Sequence, residues 1–194
     1  SAGTQLIYPL RYATRLRSYD YSQGNYYAVT VCEHDRQLIL GTINDDKVAL
    51  SRLGEIVAET WMSLPRNFKD VELDSWVVMP NHLHGIVILT ADGLRGSRAA
   101  STSIVTSVPV HHSPISLARV LNGFKSISGK LINRERGSVG AKVWQRSFYD
   151  HIVRDQRDLD TQRAYIADNP LKWALDEENP ESEAYKLRER RRGS

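Results

Sequence analysis

Residues 73–89, LDSWVVMPNHLHGIVIL, are the stretch of this 194-residue chain that says most about its fold. Leu73–Met79 and His84–Leu89 are short, apolar and rich in Val and Ile, which is typical of buried strands. Pro80 and Asn81 lie between the two runs and are residue types that favour turns. The stretch therefore predicts two neighbouring strands joined by a hairpin-like return.

One strand and one helix are expected on the N-terminal side of this pair. Tyr26–His34 (YYAVTVCEH) is aromatic and β-branched, which predicts a strand. Apolar residues recur at helical spacing from Ala49 to Leu64, where Pro65 would close the helix. Residues 1–24 are polar, rich in Tyr and Arg, and interpreted as an irregular arm.

The C-terminal side repeats the order of helix and strand. Residues 91–112 are low in complexity and indicate a surface loop. Ser113 can cap a helix that has Pro114 at its first position and runs to about Arg134. Phe148–Val153 (FYDHIV) then predicts the fourth strand.

A last helix, starting at Asp155 or Asp158 and ending near Asn169, follows the fourth strand. The resulting order, βαββαβ plus one helix, is that of the α+β ferredoxin-like sandwich, an antiparallel four-stranded sheet with helices on one face. The length suits a single domain. After the arm we expect one folded domain over residues 25–175 and a charged tail over residues 176–194.

The composition is that of a globular protein, with 41% hydrophobic and 25% charged residues. No apolar run approaches the ~20 residues of a membrane helix, so no membrane association is expected. The single cysteine, Cys32, excludes an internal disulfide and fits a reducing cytoplasm. Although the net charge is only +3, seven bases lie between Pro114 and Tyr149 against one acid. Such a cluster suits a phosphate backbone, and a solvated helix face explains it equally well.

His82 and His84 are the first candidates for chemistry. Because side chains alternate along a strand, both imidazoles point to one face and can converge on a metal ion. Partly exposed strand histidines without a ligand are the plainer alternative. Gly85, directly after the pair, is expected to leave space for a ligand or a backbone segment.

Tyr165 and Asn169 are the second pair of candidates. They are four residues apart and share one face of the last predicted helix. Asn169 ends that helix before Pro170 and can present its amide oxygen outward. An amide oxygen and two imidazoles would give a divalent ion three protein ligands. A core tyrosine and a simple helix stop remain the alternative reading of these residues.

Three segments, taken together and in this order, resemble the REP-associated tyrosine transposases, relatives of the single-tyrosine HUH transposases. The segments are MPNHLHGI (79–86), WQRSFYDHIVRD (144–155) and YIADNPLKW (165–173). The resemblance runs through most of residues 25–175. It implies an enzyme that cleaves and rejoins single-stranded DNA at hairpin-forming repeats.

The resemblance also implies roles for individual residues. His82 and His84 match the metal-binding histidines of the family, Asn169 the third ligand, and Tyr165 the nucleophile. The implied ion is Mg²⁺ or Mn²⁺, and the implied intermediate is a 5′-phosphotyrosine. No residue is an obvious general base. Asp168 and His151 are the candidates for this role.

DNA binding is expected to be led by the backbone phosphates. Tyr and Arg side chains of the arm can also stack on unpaired bases. The acidic stretch Asp176–Glu183 is a candidate to fold back over the basic surface and restrain DNA entry. Both a monomer and a homodimer are compatible with the sequence. The residues expected to contact DNA are Arg15, Arg119, Lys125, Lys130 and Arg146.

Two other functions are alternatives to strand transfer. A non-catalytic single-stranded nucleic-acid-binding module of the same fold is the main alternative, but binding alone requires neither the histidine pair nor Tyr165. A His-x-His metal hydrolase with a barrel fold would need roughly 250 residues of alternating strands and helices, which this chain lacks.

Overall fold

The computed structural model describes residues 26–90 and 115–192. A short 3₁₀ turn, Trp173–Leu175, connects the last two helices. The strands and helices in chain order are β1 (Tyr26–Cys32), β2 (Gly41–Asn44), β3 (Lys47–Leu50), α1 (Arg52–Met62), α2 (Leu64–Asn67), β4 (Val71–Val78), β5 (His82–Leu89), α3 (Leu117–Glu135), β6 (Tyr149–Ile152), α4 (Gln156–Asp168) and α5 (Glu183–Arg192).

The central sheet has four strands in the order β4-β5-β1-β6, and every neighbouring pair is antiparallel. This is the ferredoxin-like arrangement predicted from the sequence. Residues 73–89 form the expected hairpin of β4 and β5. In the register between β1 and β5, Cys32 lies opposite His82 and Thr30 lies opposite His84. The histidines therefore sit on a central strand.

The two faces of the sheet bury different helices. On one face, α1 and α3 pack over Leu83 and Val87, and the rings of Trp61 and Phe124 meet edge to face. On the other face, Ile86 and Ile88 of β5 pack against Leu159 and Ile166 of α4. Since even-numbered residues of β5 face α4, His82 and His84 also point toward α4. The predicted last helix thus covers the histidine face.

Gly85 serves packing on the face opposite the histidines, not the ligand space expected from the sequence. A Cβ at this position would lie 2.5 Å from Cζ2 of Trp61. The indole of Trp61 is fully buried and occupies the space that the missing side chain leaves. The glycine therefore lets α1 approach the sheet closely.

The first helix differs from its predicted bounds. Ala49 belongs to β3, and α1 begins only at Arg52, where the hydroxyl of Ser51 accepts a hydrogen bond from the N–H of Gly54. The β2–β3 hairpin was not predicted. Pro65 lies in the first turn of α2, so it begins a short second helix rather than closing the first.

The start of the second long helix was also misplaced. Ser116 caps α3 by accepting a hydrogen bond from the N–H of Arg119, so the cap expected at Ser113 is wrong. Ser113 and Pro114 lie outside the described residues, as do the arm and the loop of residues 91–112. In the part of the chain that the structure describes, no helix combines the length and apolarity needed to cross a membrane.

Candidate metal and tyrosine site

The two histidines of β5 face each other in the interior. Their Nε2 atoms are 2.9 Å apart, and their rings meet at an angle of 77°. His82 is 0% exposed and His84 is 5% exposed. Alternation along the strand thus places both imidazoles at one buried point, as the sequence predicted.

A neighbouring side chain orients each imidazole through Nδ1. His82 Nδ1 lies 2.8 Å from Oδ1 of Asn81, and His84 Nδ1 lies 2.8 Å from Oγ1 of Thr30. The amide nitrogen of Asn81 donates to the carbonyls of Arg36 and Glu178, at 3.1 and 2.7 Å, which sets the orientation of its oxygen. Because that oxygen only accepts, Nδ1 of His82 carries the hydrogen and Nε2 keeps its lone pair.

Burial keeps both histidines neutral. It lowers the pKa of His84 to about 4. The pKa of His82 is well below its ordinary value, first because of burial and then because His84 and Arg36 are close. At neutral pH the lone pair of His82 is therefore available, and it faces the other ring. A metal cation between the rings would find two neutral imidazoles already oriented by their neighbours.

Tyr165 reaches this pair from α4. Its ring centroid lies 5.2 Å from that of His84, and 47% of the residue is exposed. Burial and the nearby carboxylates of Asp176 and Glu177 raise the pKa of its phenol, against a hydrogen bond with Asn169 that lowers it. The phenol is therefore neutral at pH 7, open to solvent on one side and close to the histidines on the other.

Asn169 is the C-cap residue of α4 and is only 3% exposed. Its Oδ1 atom is buried and has no hydrogen-bond partner. An unsatisfied buried carbonyl is costly unless something else coordinates it. A divalent cation would satisfy this oxygen, so the amide fits the role of a ligand.

These groups line one cleft of about 620 Å³. Tyr165, Asn169 and His84 contribute to its walls, together with Thr30 and Asp176. Residues that are more than 80 positions apart in the chain therefore share one cavity. The cleft is where a strand's imidazole, a helix's phenol and a buried amide come together.

Asp176 is the site residue that sequence reasoning missed. Its Oδ2 atom lies 3.9 Å from Nε2 of His82, and one ligand atom from each of His82, His84 and Asp176 lies within 4.8 Å of the others. Burial, followed by Glu177, raises the pKa of Asp176 to about 6. The only sequence signal was its place in the acidic stretch just after the Asn-Pro segment. Two imidazoles with a carboxylate and an amide oxygen suit a divalent ion such as Mg²⁺ or Mn²⁺.

The two residues considered as general bases, His151 and Asp168, each lie within ion-pair distance of an oppositely charged side chain. His151 on β6 lies 2.8 and 3.0 Å from the two carboxylate oxygens of Asp158. Asp168 forms an exposed ion pair with Lys172 at 3.2 Å. Each of the two residues also lines a surface pocket together with Tyr165.

Lys125, one of the expected DNA contacts, is held within the protein. Its Nζ donates to the carbonyl oxygens of Gln145, Arg146 and Ser147, at 3.0, 3.4 and 2.7 Å. Burial lowers its pKa. The ammonium thus ties α3 to the segment before β6.

The other expected DNA contacts that the structure describes are all exposed. Arg119 and Lys130 are exposed on α3, which covers the sheet face opposite the histidines. Arg146 is exposed in the segment before β6. Arg15 lies outside the described residues. The described members of this set therefore do not form one patch with the histidines.

The chain is similar to one known protein in sequence and to a solved structure in fold. No family model matches it. An uncharacterized protein of Haemophilus influenzae is 30% identical over 168 residues, which cover 86% of this chain and 92% of that protein.

A solved structure of a REP-associated tyrosine transposase bound to a REP hairpin superposes with a TM-score of 0.50 at 19% identity, covering 82% of this chain and 74% of that one. The chain therefore belongs to the same family as the Haemophilus influenzae protein and has the fold of a REP-associated tyrosine transposase.

Proposed function

We propose that this protein is a metal-dependent enzyme that cleaves and rejoins single-stranded DNA through Tyr165. The observation that carries the proposal is the position of this phenol in the cleft beside His84 and the unpartnered oxygen of Asn169. The shared fold with a transposase that binds a REP hairpin supports single-stranded DNA with hairpins as the substrate.

His82, His84 and Asn169 would hold the ion, which we take to be Mg²⁺ or Mn²⁺. When bound, such an ion neutralises charge on the scissile phosphate and on the departing oxygen. The protein's own part is to keep the imidazoles oriented, through Asn81 and Thr30, and to keep the amide oxygen of Asn169 in the cleft.

Tyr165 would carry out the covalent step. Its phenolic oxygen forms a bond to phosphorus while the bond between phosphorus and the 3′ oxygen breaks. The phenol's proton leaves and a proton ends on the 3′ oxygen, so the products are a 5′-phosphotyrosine and a free 3′-hydroxyl. Attack by a 3′-hydroxyl on the phosphotyrosine reverses these bond changes and joins strands without an external energy source.

Cations outside the cleft would bind the DNA backbone. The exposed cations Arg119, Lys130 and Arg146 can bind phosphates, and Arg15 can do so from the arm. Lys125 can contribute only if it gives up its bonds to the three carbonyls.

The test uses a hairpin oligonucleotide with single-stranded flanks, labelled at its 3′ end and incubated with Mn²⁺. We expect a labelled covalent protein–DNA adduct in the wild type and none in Tyr165→Phe. Tyr149→Phe is the matched control, because Tyr149 is also half exposed and lines the same cleft. Binding of the hairpin without any adduct in the wild type would instead support the non-catalytic binding module.

A further inference from the structure

The segment that follows α4 folds back against the histidine pair. The ring of Trp173 lies 6.0 Å from that of His82, centroid to centroid. Three residues later, the carboxylate of Asp176 points to the same imidazole at 3.9 Å. The charged tail expected from the sequence therefore begins with a residue, Asp176, that lies at the centre of the candidate site.

Glu178 fastens this segment to the domain. Its carboxylate forms ion pairs with Arg36 of the β1–β2 connection and with Arg188 of α5, the latter at 2.9 Å. Its carbonyl accepts a hydrogen bond of 2.7 Å from Asn81, the residue that orients His82. One residue thus anchors the segment and also touches the support of a histidine.

We propose that Asp176 is a metal ligand, and that docking of residues 173–182 by Glu178 completes the metal site. The inference rests on the proposed function, in which His82 and His84 hold a divalent ion. It adds a fourth protein ligand from a part of the chain that the sequence assigned to a separate tail.

Distances among the donor atoms support this assignment. Two neighbouring ligands of an octahedral ion at about 2.1 Å lie about 3 Å apart, and two opposite ligands lie about 4.2 Å apart. The Nε2 atoms of His82 and His84 are 2.9 Å apart, and Oδ2 of Asp176 is 3.9 Å from His82. Both of these distances lie within the roughly 4.2 Å that separates opposite ligands of one ion, and the three donor atoms all lie within 4.8 Å of one another.

Charge supports it as well. The two imidazoles and the amide of Asn169 are neutral, so these three ligands leave a dication in the interior without a compensating anion. Asp176 supplies one negative charge at the right place. The buried, unpartnered oxygen of Asn169 is independent evidence for a ligand, because the residue is only 3% exposed, lines the same cleft and provides no protein donor for this atom.

Mn²⁺ binding to the metal-free full-length protein tests the proposal, with free Mn²⁺ followed by electron paramagnetic resonance. We expect Asp176→Asn to weaken binding at least tenfold. Glu181→Gln is the matched control, since it removes the same charge from an exposed residue of the same segment that does not line the cleft, and it should bind like the wild type. Glu178→Gln should weaken binding by a smaller factor, because it loosens the anchor and leaves every ligand in place.

A second readout guards against variants that fold poorly. Mn²⁺ should raise the Tm of the wild type and of Glu181→Gln, and should raise that of Asp176→Asn much less. Equal Mn²⁺ affinity in Asp176→Asn and the wild type would overturn the proposal. If Asp176→Asn does not fold, unchanged Mn²⁺ affinity in Glu178→Gln would overturn it instead.

Failure of this inference is distinguishable from failure of the proposed function. Loss of Mn²⁺ binding in His82→Ala together with unchanged binding in Asp176→Asn would leave the histidine site intact and remove only the fourth ligand. A wild-type protein that binds Mn²⁺ through Asp176 but forms no DNA adduct would support the ligand and reject the strand-transfer chemistry.

Discussion

Thr30 supports one imidazole of the pair from the neighbouring strand, through the 2.8 Å contact between its hydroxyl and Nδ1 of His84. Outer contacts of this kind contribute about 10- to 100-fold to metal affinity. We expect Thr30→Val, which keeps the shape and the strand preference, to weaken Mn²⁺ binding by about tenfold in a titration. Thr42→Val, on the exposed β2–β3 hairpin, is the control. Unchanged affinity in Thr30→Val would show that this hydroxyl does not support the site.

Gly85 is a packing residue whose substitution should be costly. Because a Cβ would meet Trp61 at 2.5 Å, we expect Gly85→Ala to lower the free energy of unfolding by about 1–3 kcal/mol. Gly129→Ala is the control with opposite sign: its Cβ would have ordinary contacts at 3.9 Å, and alanine should stabilise α3 by about 0.5–1 kcal/mol. Denaturant unfolding measures both. A neutral Gly85→Ala would mean that Trp61 yields easily.

Some of the site residues could be predicted from local sequence patterns, and one could not. His82 and His84 could be paired because strand alternation is local, and Tyr165 and Asn169 because i, i+4 spacing on a helix is local. Asp176 could not be assigned, because its position depends on an irregular segment held by the ion pair of Glu178 and Arg36, which are distant in sequence. Charge alone does not specify such a partner.

At the scale of elements, α4 is fastened to the sheet by a buried ion pair. A bulge in β4 between Leu73 and Trp76 accompanies the inward placement of Asp74, whose side chain is 1% exposed. Arg163 of α4 donates to both oxygens of this carboxylate, at 3.0 and 2.6 Å, two residues before Tyr165. The pair therefore fixes the helix that carries the phenol.

Breaking this pair from one side should be much worse than removing both charges. Arg163→Met leaves the carboxylate of Asp74 buried and unpaired, and we expect it to lower the free energy of unfolding by about 3–5 kcal/mol. Adding Asp74→Asn should recover most of that loss. Arg157→Met, at an exposed position of α4, should stay within about 0.5 kcal/mol. If denaturant unfolding shows the double variant to be no more stable than Arg163→Met, the loss of stability in Arg163→Met does not come from the unpaired carboxylate of Asp74.

The predicted elements were those with strong periodicity or long β-branched runs, and they define the four-stranded sheet. The β2–β3 hairpin escaped prediction because its short strands GTIN and KVAL show little alternation, and because Ala49 of β3 also fits the helical spacing that continues to Leu64. Its turn is made by Asp45 and Asp46, both with positive φ, a conformation that Asp tolerates better than most residues. Such short strands are stabilised mainly by pairing with each other. The periodicity of a single segment does not reveal this pairing.

For the molecule as a whole, the candidate site is assembled within one chain. Tyr165 on α4 meets the histidines of β5 from the same copy, so the geometry does not require a second subunit to deliver the phenol. The sequence left this open because it does not say over which copy α4 packs. In the single chain, the packing of Leu159 and Ile166 on the histidine face brings the phenol of Tyr165 to the histidines of the same copy.

The exposed cations of α3 lie across the sheet from the histidines, so we expect them to bind DNA without taking part in the chemistry. Replacing both, in Arg119→Gln with Lys130→Gln, should make the plot of log affinity against log salt less steep by about 1.4–1.8, because each lost phosphate contact removes about 0.7–0.9. The rate of adduct formation at saturating hairpin should not change. Arg66→Gln with Lys47→Gln removes two exposed charges elsewhere and serves as the control. If the salt dependence of the α3 variant is unchanged, Arg119 and Lys130 do not contact the DNA. If adduct formation is slower at saturating hairpin, the two side chains affect the chemistry and do more than bind the DNA backbone.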